Sequence, residues 1–118
     1  MQLLTKPILE KLLANALAQN KVRGTSKEID FEPVVKFFNP CGAATWLITE
    51  LDPEDNDTMF GLCDLGMGFP ELGNVSLKEL STVKGKLGLG MERDRHWKAK
   101  KKLSEYAEEA RAKGRIVA

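Results

Sequence analysis

Eight basic residues lie between Lys84 and Lys102 against two acidic ones, Glu92 and Asp94, and His96 and Trp97 sit among them. Ammonium and guanidinium groups neutralise phosphates, and an aromatic ring offers a face on which a base can stack. Lys84, Lys86, Arg93, Arg95, Trp97, Lys98, Lys100, Lys101 and Lys102 are therefore the residues expected to meet nucleic acid or another anion. Lys98, Lys100, Lys101 and Lys102 fall around the start of a C-terminal helix, the wrong end of the helix dipole for positive charge. They do not serve that helix, and together with its free N–H groups they would make an anion site. The competing reading is that these lysines answer the acidic part of the chain or simply face water.

A second constellation has the opposite sign. Glu50, Asp52, Glu54, Asp55 and Asp57 crowd a turn between two strands. A row of carboxylates there could imitate a phosphate backbone in a groove lined with Lys and Arg. Asp52, Glu54 and Asn56 alternate as calcium-loop ligands do. The sixth position, however, holds Asp57 instead of Gly, and the twelfth holds Cys63 instead of Glu, so no calcium loop is expected. Glu50 and Asp64 make no acid–base pair either. A symmetric turn sets Glu50 opposite Met59 and Asp64 opposite Thr45, on opposite faces. A register slipped by one residue puts both on one face, but roughly 13 Å apart at the strand rise.

Cys41 and Cys63 match no zinc spacing, and the chain has a single His. The hairpin register sets Cys63 against Trp46, five residues along from Cys41, which is too far for a disulfide. Cys63 reads as a small buried apolar residue and Cys41 as a loop thiol. The glycines at 66, 68, 85, 88 and 90 fit neither phosphate-binding fingerprint and read as turn residues. No metal and no cofactor are expected. An enzyme would have to place its chemistry in a cleft near Asp64, with Cys63 and His96 in reach.

These side chains need elements to position them. Leu9, Leu12, Leu13, Ala16 and Leu17 recur at helical spacing and predict a helix over 5–20, capped by Thr5 and tolerant of Pro7 in its first turn. Residues 31–38 predict a strand, near an edge because of Pro33. Residues 44–51 and 58–65 predict a hairpin around the turn 52–57. Residues 66–74 read as a loop, and 76–83 as a short helix with Ser76 and Glu79 as a capping box. A last strand is read within 91–97, and a C-terminal helix from Leu103 to near Gly114. The expected class is α+β: a single domain over 1–118 with an antiparallel three- to four-stranded meander, an N-terminal helix, a short middle helix and a C-terminal helix. Trp46 and Ile48 would point to one face of the sheet, Leu47 and Leu51 to the other. Both helices are expected on one face, with the other closed by the loop 66–74, through Phe69 and Leu72, or by a second subunit.

The chain has 118 residues, 42% of them hydrophobic and 30% charged, a mix that excludes wholesale disorder. The net charge of +1 conceals blocks. Residues 1–27 hold five basic residues against one acidic, 28–74 one against ten, 75–104 nine against three, and 105–118 three of each. No apolar run is long enough for a membrane span, and the charges at Lys6, Glu10 and Lys11 leave no signal-peptide core, so a cytoplasmic protein with reduced thiols is expected.

Several strings carry a family resemblance. They are Ala43-Ala44-Thr45-Trp46-Leu47-Ile48-Thr49-Glu50-Leu51-Asp52-Pro53-Glu54-Asp55, Phe60-Gly61-Leu62-Cys63-Asp64-Leu65-Gly66, Phe69-Pro70-Glu71-Leu72-Gly73 and Val75-Ser76-Leu77. The opening Leu3-Leu4-Thr5-Lys6 and Glu92-Arg93-Asp94 before His96 add to them. Together they resemble domain-of-unknown-function family 2958. The resemblance implies a setting, an accessory protein of mobile DNA such as plasmids and integrative elements, and carries over no site residues. The leading expectation is a non-enzymatic binding module that contacts nucleic acid, or a protein that processes it, through the basic tract. The alternatives are an inhibitor of a host defence protein that uses the acidic hairpin as a phosphate mimic, and a small enzyme with a cleft near Asp64. No membrane partner is expected, and the oligomeric state is not legible.

Overall fold

The computed structural model describes residues 3–82 and 90–118. Helix α1 (Lys6–Asn20) starts where its cap predicts. Thr5 Oγ1 accepts a hydrogen bond from Ile8 N at 3.4 Å, and Pro7 occupies the first turn, where its missing N–H costs nothing. The leucine stripe packs as expected through Leu9, Leu12 and Leu13, with one exception and two polar additions. Leu12 and Ala16 are buried, but Leu17 is 54% exposed, and Asn15 and Gln19 are buried as well. Asn15 Nδ2 donates to Thr49 O at 2.9 Å, and Gln19 exchanges hydrogen bonds of 2.7 and 2.8 Å with the backbone of Ile29. Satisfied amides cost little to bury, and they fix the helix against particular backbone atoms.

Strands β1 (Val35–Phe38), β2 (Thr45–Leu51), β3 (Thr58–Asp64), β4 (Glu71–Ser76) and β5 (Glu92–Arg93) form one antiparallel sheet in the order β4-β3-β2-β1-β5. The fold is α+β, with β4 as the strand that the expected loop 66–74 concealed. Only its first part is a loop, turned by Gly66 and Gly68 at φ 82° and 87°. The expected strand over 31–38 shortens to β1. Pro33 precedes it, and β5 pairs only with Phe37 and Phe38, so the start of β1 does lie near the sheet edge. The strand read within 91–97 shortens to β5. Helix α2 (Leu77–Thr82) is capped by Ser76, whose Oγ accepts from Glu79 N at 3.1 Å. Helix α3 (Leu103–Lys113) ends on Gly114 at φ 74°, the left-handed cap that glycine supplies most cheaply.

The hairpin keeps the symmetric register at its open end, with Thr45 opposite Asp64 and Trp46 opposite Cys63. A β-bulge between Ile48 and Glu50 then shifts it, so Glu50 lies opposite Phe60 instead of Met59, and Leu51 takes Met59. An extra residue reverses the facing of everything beyond it. Leu51 therefore joins Trp46 and Ile48, with Val35, Phe37, Met59 and Leu12, in one core beneath α1. Leu47 and Leu62 face the other way, into a second core with Leu103, Tyr106, Ala107, Ala110 and Ile116 of the C-terminal segment. The two long helices thus cover opposite faces of the sheet, and Phe69 is 79% exposed. This overturns the expected arrangement of both helices on one face with Phe69 folded over the other. Leu103, Tyr106, Ala107 and Ala110 of α3 themselves cover Leu47 and Leu62, so the loop is not needed there. No helix among the described residues is long and apolar enough to cross a membrane.

Candidate nucleic-acid interface

The segment after β5 folds back over the start of α3 and is held there by backbone contacts. Trp97 N donates to Asp94 O at 3.3 Å, and Lys100 N donates to Tyr106 Oη at 2.9 Å. Tyr106 is buried by the second core, so its phenol is a fixed post. Trp97 leans on it with ring centroids 6.0 Å apart and planes tilted by 46°, and stays half-buried. Lys101 Nζ lies 5.0 Å from the centre of the Tyr106 ring and donates to Glu109 Oε1 at 2.7 Å. The Glu109 hydrogen bond is the main reason the Lys101 ammonium titrates above its ordinary range. Around these side chains runs a groove of about 540 Å³ whose lining includes His96, Trp97, Lys98, Lys100, Lys101 and Tyr106.

The basic tract divides into groups with different work. Lys98 and Lys100 are exposed at the groove, with no side-chain partner among the described residues, and Arg95 is exposed nearby in the chain. Arg93 is half-buried and donates from Nη1 to Leu3 O at 2.9 Å, which ties β5 to the start of the chain. Lys102 Nζ donates to Asp30 O at 3.2 Å and lies outside the groove lining. Lys84 and Lys86 lie outside the described residues. The anion site expected at the start of α3 is filled by the chain itself. Asp30 Oδ1 accepts from Ser104 N at 3.2 Å, its Oδ2 accepts the Ser104 hydroxyl, and Leu103 N donates to Phe31 O at 2.9 Å. Of the predicted residues, the fold gathers Trp97, Lys98, Lys100 and Lys101 into one place. Tyr106, which forms the groove wall, is not among the residues the sequence singled out for binding.

The acidic residues are mostly spent on the fold. Asp55 Oδ1 accepts from Asp57 N and Thr58 N at 2.8 and 2.9 Å, and its Oδ2 accepts the Thr58 hydroxyl at 2.6 Å. Those bonds, the Thr58 hydroxyl first, hold the Asp55 carboxyl below its ordinary range. Asp57 accepts from Ser76 Oγ and Lys78 N, both at 2.7 Å, and so anchors the start of α2. Asp52 Oδ1 accepts from Glu54 N at 2.9 Å. Glu50 is buried, away from the exposed turn, and bonds Arg23. In this group only Glu54 is an exposed carboxylate without a side-chain partner among the described residues.

Asp64, Cys63 and His96 do not converge. Asp64 is buried, with Oδ1 accepting from Gly66 N at 2.8 Å and Oδ2 from Ile116 N at 2.9 Å. Cys63 packs on the first core, across the sheet from Asp64, where burial pushes its thiol up to about 11. His96 belongs to the Trp97 groove. Cys41 and Cys63 are both free thiols. Among the described residues there is no group of three or more His, Cys, Asp or Glu placed to hold a metal ion.

A family model described as "Protein of unknown function (DUF2958)" matches residues 3–117, nearly the whole chain, and the chain belongs to that family. Comparison with curated proteins and with solved structures gave no match.

Proposed function

We propose that this chain is a non-enzymatic binding module that takes single-stranded nucleic acid in the Trp97 groove, as an accessory protein of mobile DNA. The observation that carries the reading is the gathering of a half-buried indole, a histidine and three lysines around one concavity. A base stacks on the exposed part of the Trp97 ring while Lys98 and Lys100, which carry no competing ion pair among the described residues, meet phosphates on either side. Lys101 is already paired with Glu109 and contributes mainly by holding Tyr106 and the groove wall.

The division of labour within the tract makes the reading testable. Lys98→Ala with Lys100→Ala should weaken binding of a short single strand at low salt by at least tenfold. It should also flatten the slope of log affinity against log salt by about 1.4, for two lost phosphate contacts. Lys102→Ala should leave that slope unchanged, because its ammonium serves Asp30. Fluorescence anisotropy over a salt series reads both. Absence of binding at low salt by the unaltered chain, to single-stranded DNA and RNA alike, rejects the proposal.

A further inference from the structure

A second concavity lies away from the Trp97 groove. Two adjoining clefts of about 230 and 380 Å³ share Arg23, Glu50 and Phe60 in their walls. One continues toward Asp52 and Asn74, the other toward Leu72 and Leu103. The β-bulge creates this place. By setting Glu50 opposite Phe60 it turns the carboxylate onto the α3 face of the sheet, and α3 stops short of covering that part.

Glu50 is unusual for so acidic a location. Its side chain is only 7% exposed, yet its partner Arg23 is 57% exposed and reaches it through one hydrogen bond, Nη2 to Oε1 at 3.2 Å. The same guanidinium is also held by Asn20 Oδ1, at 3.2 Å from Nε and 3.0 Å from Nη2. The second oxygen, Oε2, accepts no hydrogen bond among the described residues. No buried side-chain oxygen there is left without a partner, so Oε2 opens to the cleft. Oε2 therefore presents to the cleft an acceptor that the second N–H of a guanidinium fork can engage. The surroundings favour a cation. Glu28, Asp30, Glu50 and Asp52 line the joined clefts against one guanidinium, that of Arg23. Among the described residues no three His, Cys, Asp or Glu side chains are grouped there to hold a metal ion. A planar guanidinium satisfies both carboxylate oxygens at once and lies favourably against an aromatic ring, here that of Phe60.

We propose that the Glu50 cleft is a guanidinium-binding site, in which Arg23 is the chain's own weak occupant and an incoming guanidinium displaces it to engage both oxygens of Glu50. The site does not depend on the nucleic-acid reading. The group arrives either on a free small cation or on an arginine side chain of a partner polypeptide.

Backbone amide shifts of the full chain, titrated with agmatine and separately with a blocked tripeptide carrying one arginine, test this. Saturable shifts are expected at Glu50, Phe60 and Asn74 with a dissociation constant at or below about 10 mM. Arg23→Ala removes the internal competitor and should tighten agmatine at least fivefold. Glu50→Gln should abolish the shifts, and the Arg23 variant carries the test if the Gln variant does not fold. Cadaverine, a point ammonium of similar length, should bind several-fold more weakly. A peptide about tenfold tighter than agmatine assigns the site to a partner's arginine, and agmatine equal to or tighter than the peptide assigns it to a free cation. No saturable shift, an Arg23→Ala chain that binds no tighter, or cadaverine as tight as agmatine overturns the proposal.

Discussion

Cys63 and Asp64 are neighbours in sequence and face opposite sides of the sheet, and their environments make different demands. The Cys63 thiol sits against the first core with its pKa pushed up to about 11, while Cys41 is exposed. Only the thiolate alkylates, so iodoacetamide at about pH 8 should modify Cys41 and spare Cys63 until denaturant is added. Intact-mass spectrometry counts the adducts, and two adducts on the folded chain would contradict the burial described. Asp64 joins the turn after β3 to the chain beyond α3 by bonding Gly66 N and Ile116 N. Asp64→Ala leaves both donors without their acceptor and should cost about 3 kcal/mol in urea unfolding, with Asp64→Asn losing roughly half of that. A cost within experimental error of zero would mean that water replaces the carboxylate. Single-residue roles were partly legible. Thr5, Ser76 and Gly114 are helix-end residues by type, and they do that work. Asn15, Gln19 and Arg23 gave no signal, because a polar helix residue reads as solvent-facing unless its backbone partner in another element is known.

At the scale of elements the bulge near Thr49 decides most of what matters. It sends Leu51 into the α1 core, places Glu50 over the opposite face, and leaves the Thr49 carbonyl to Asn15. Gly61 lies beside it in β3. A Cβ there would stand 2.0 Å from Leu47 O and 2.9 Å from Ile48 Cα, both fixed backbone atoms. Gly61→Ala should therefore cost about 3 kcal/mol or more, whereas Gly73→Ala, on the edge strand with nothing within 4 Å of the added carbon, should be nearly neutral. Thermal unfolding of the two variants compares them, and similar midpoints would contradict the packing at the bulge. Helix ends and the hairpin were readable because caps, turn residues and alternating apolar residues act locally. The bulge was not, since one unpaired residue leaves the alternation on both sides intact. Strand β4 was hidden by Pro70, Gly73 and Asn74, which favour turns unless the exposed edge of a strand such as β3 is there to receive them.

Across the whole molecule, the ion pairs among the described residues each join two charge blocks: Arg23 meets Glu50, Lys36 meets Asp94 at 3.8 Å, and Lys101 meets Glu109. Asp52, Asp55 and Asp57 of the acidic centre serve turns and caps, while Lys98 and Lys100 beside Trp97 have no side-chain partner among the described residues. Composition could show that two surfaces of opposite sign were available. Only the fold shows that several carboxylates of one of them already accept hydrogen bonds from the chain's own turns and caps. The central claim is that the Trp97 groove receives a nucleic-acid base, and the two tryptophans make it directly measurable. Trp46 is buried in the first core, and Trp97 is half-buried in the groove. Titrating the full chain with a short single-stranded oligonucleotide at low salt should quench the Trp97 emission saturably. The quench should reverse with salt and vanish in Trp97→Phe, while the shielded Trp46 emission persists. Emission unchanged by saturating oligonucleotide, or a quench of the same size in Trp97→Phe, would contradict the account.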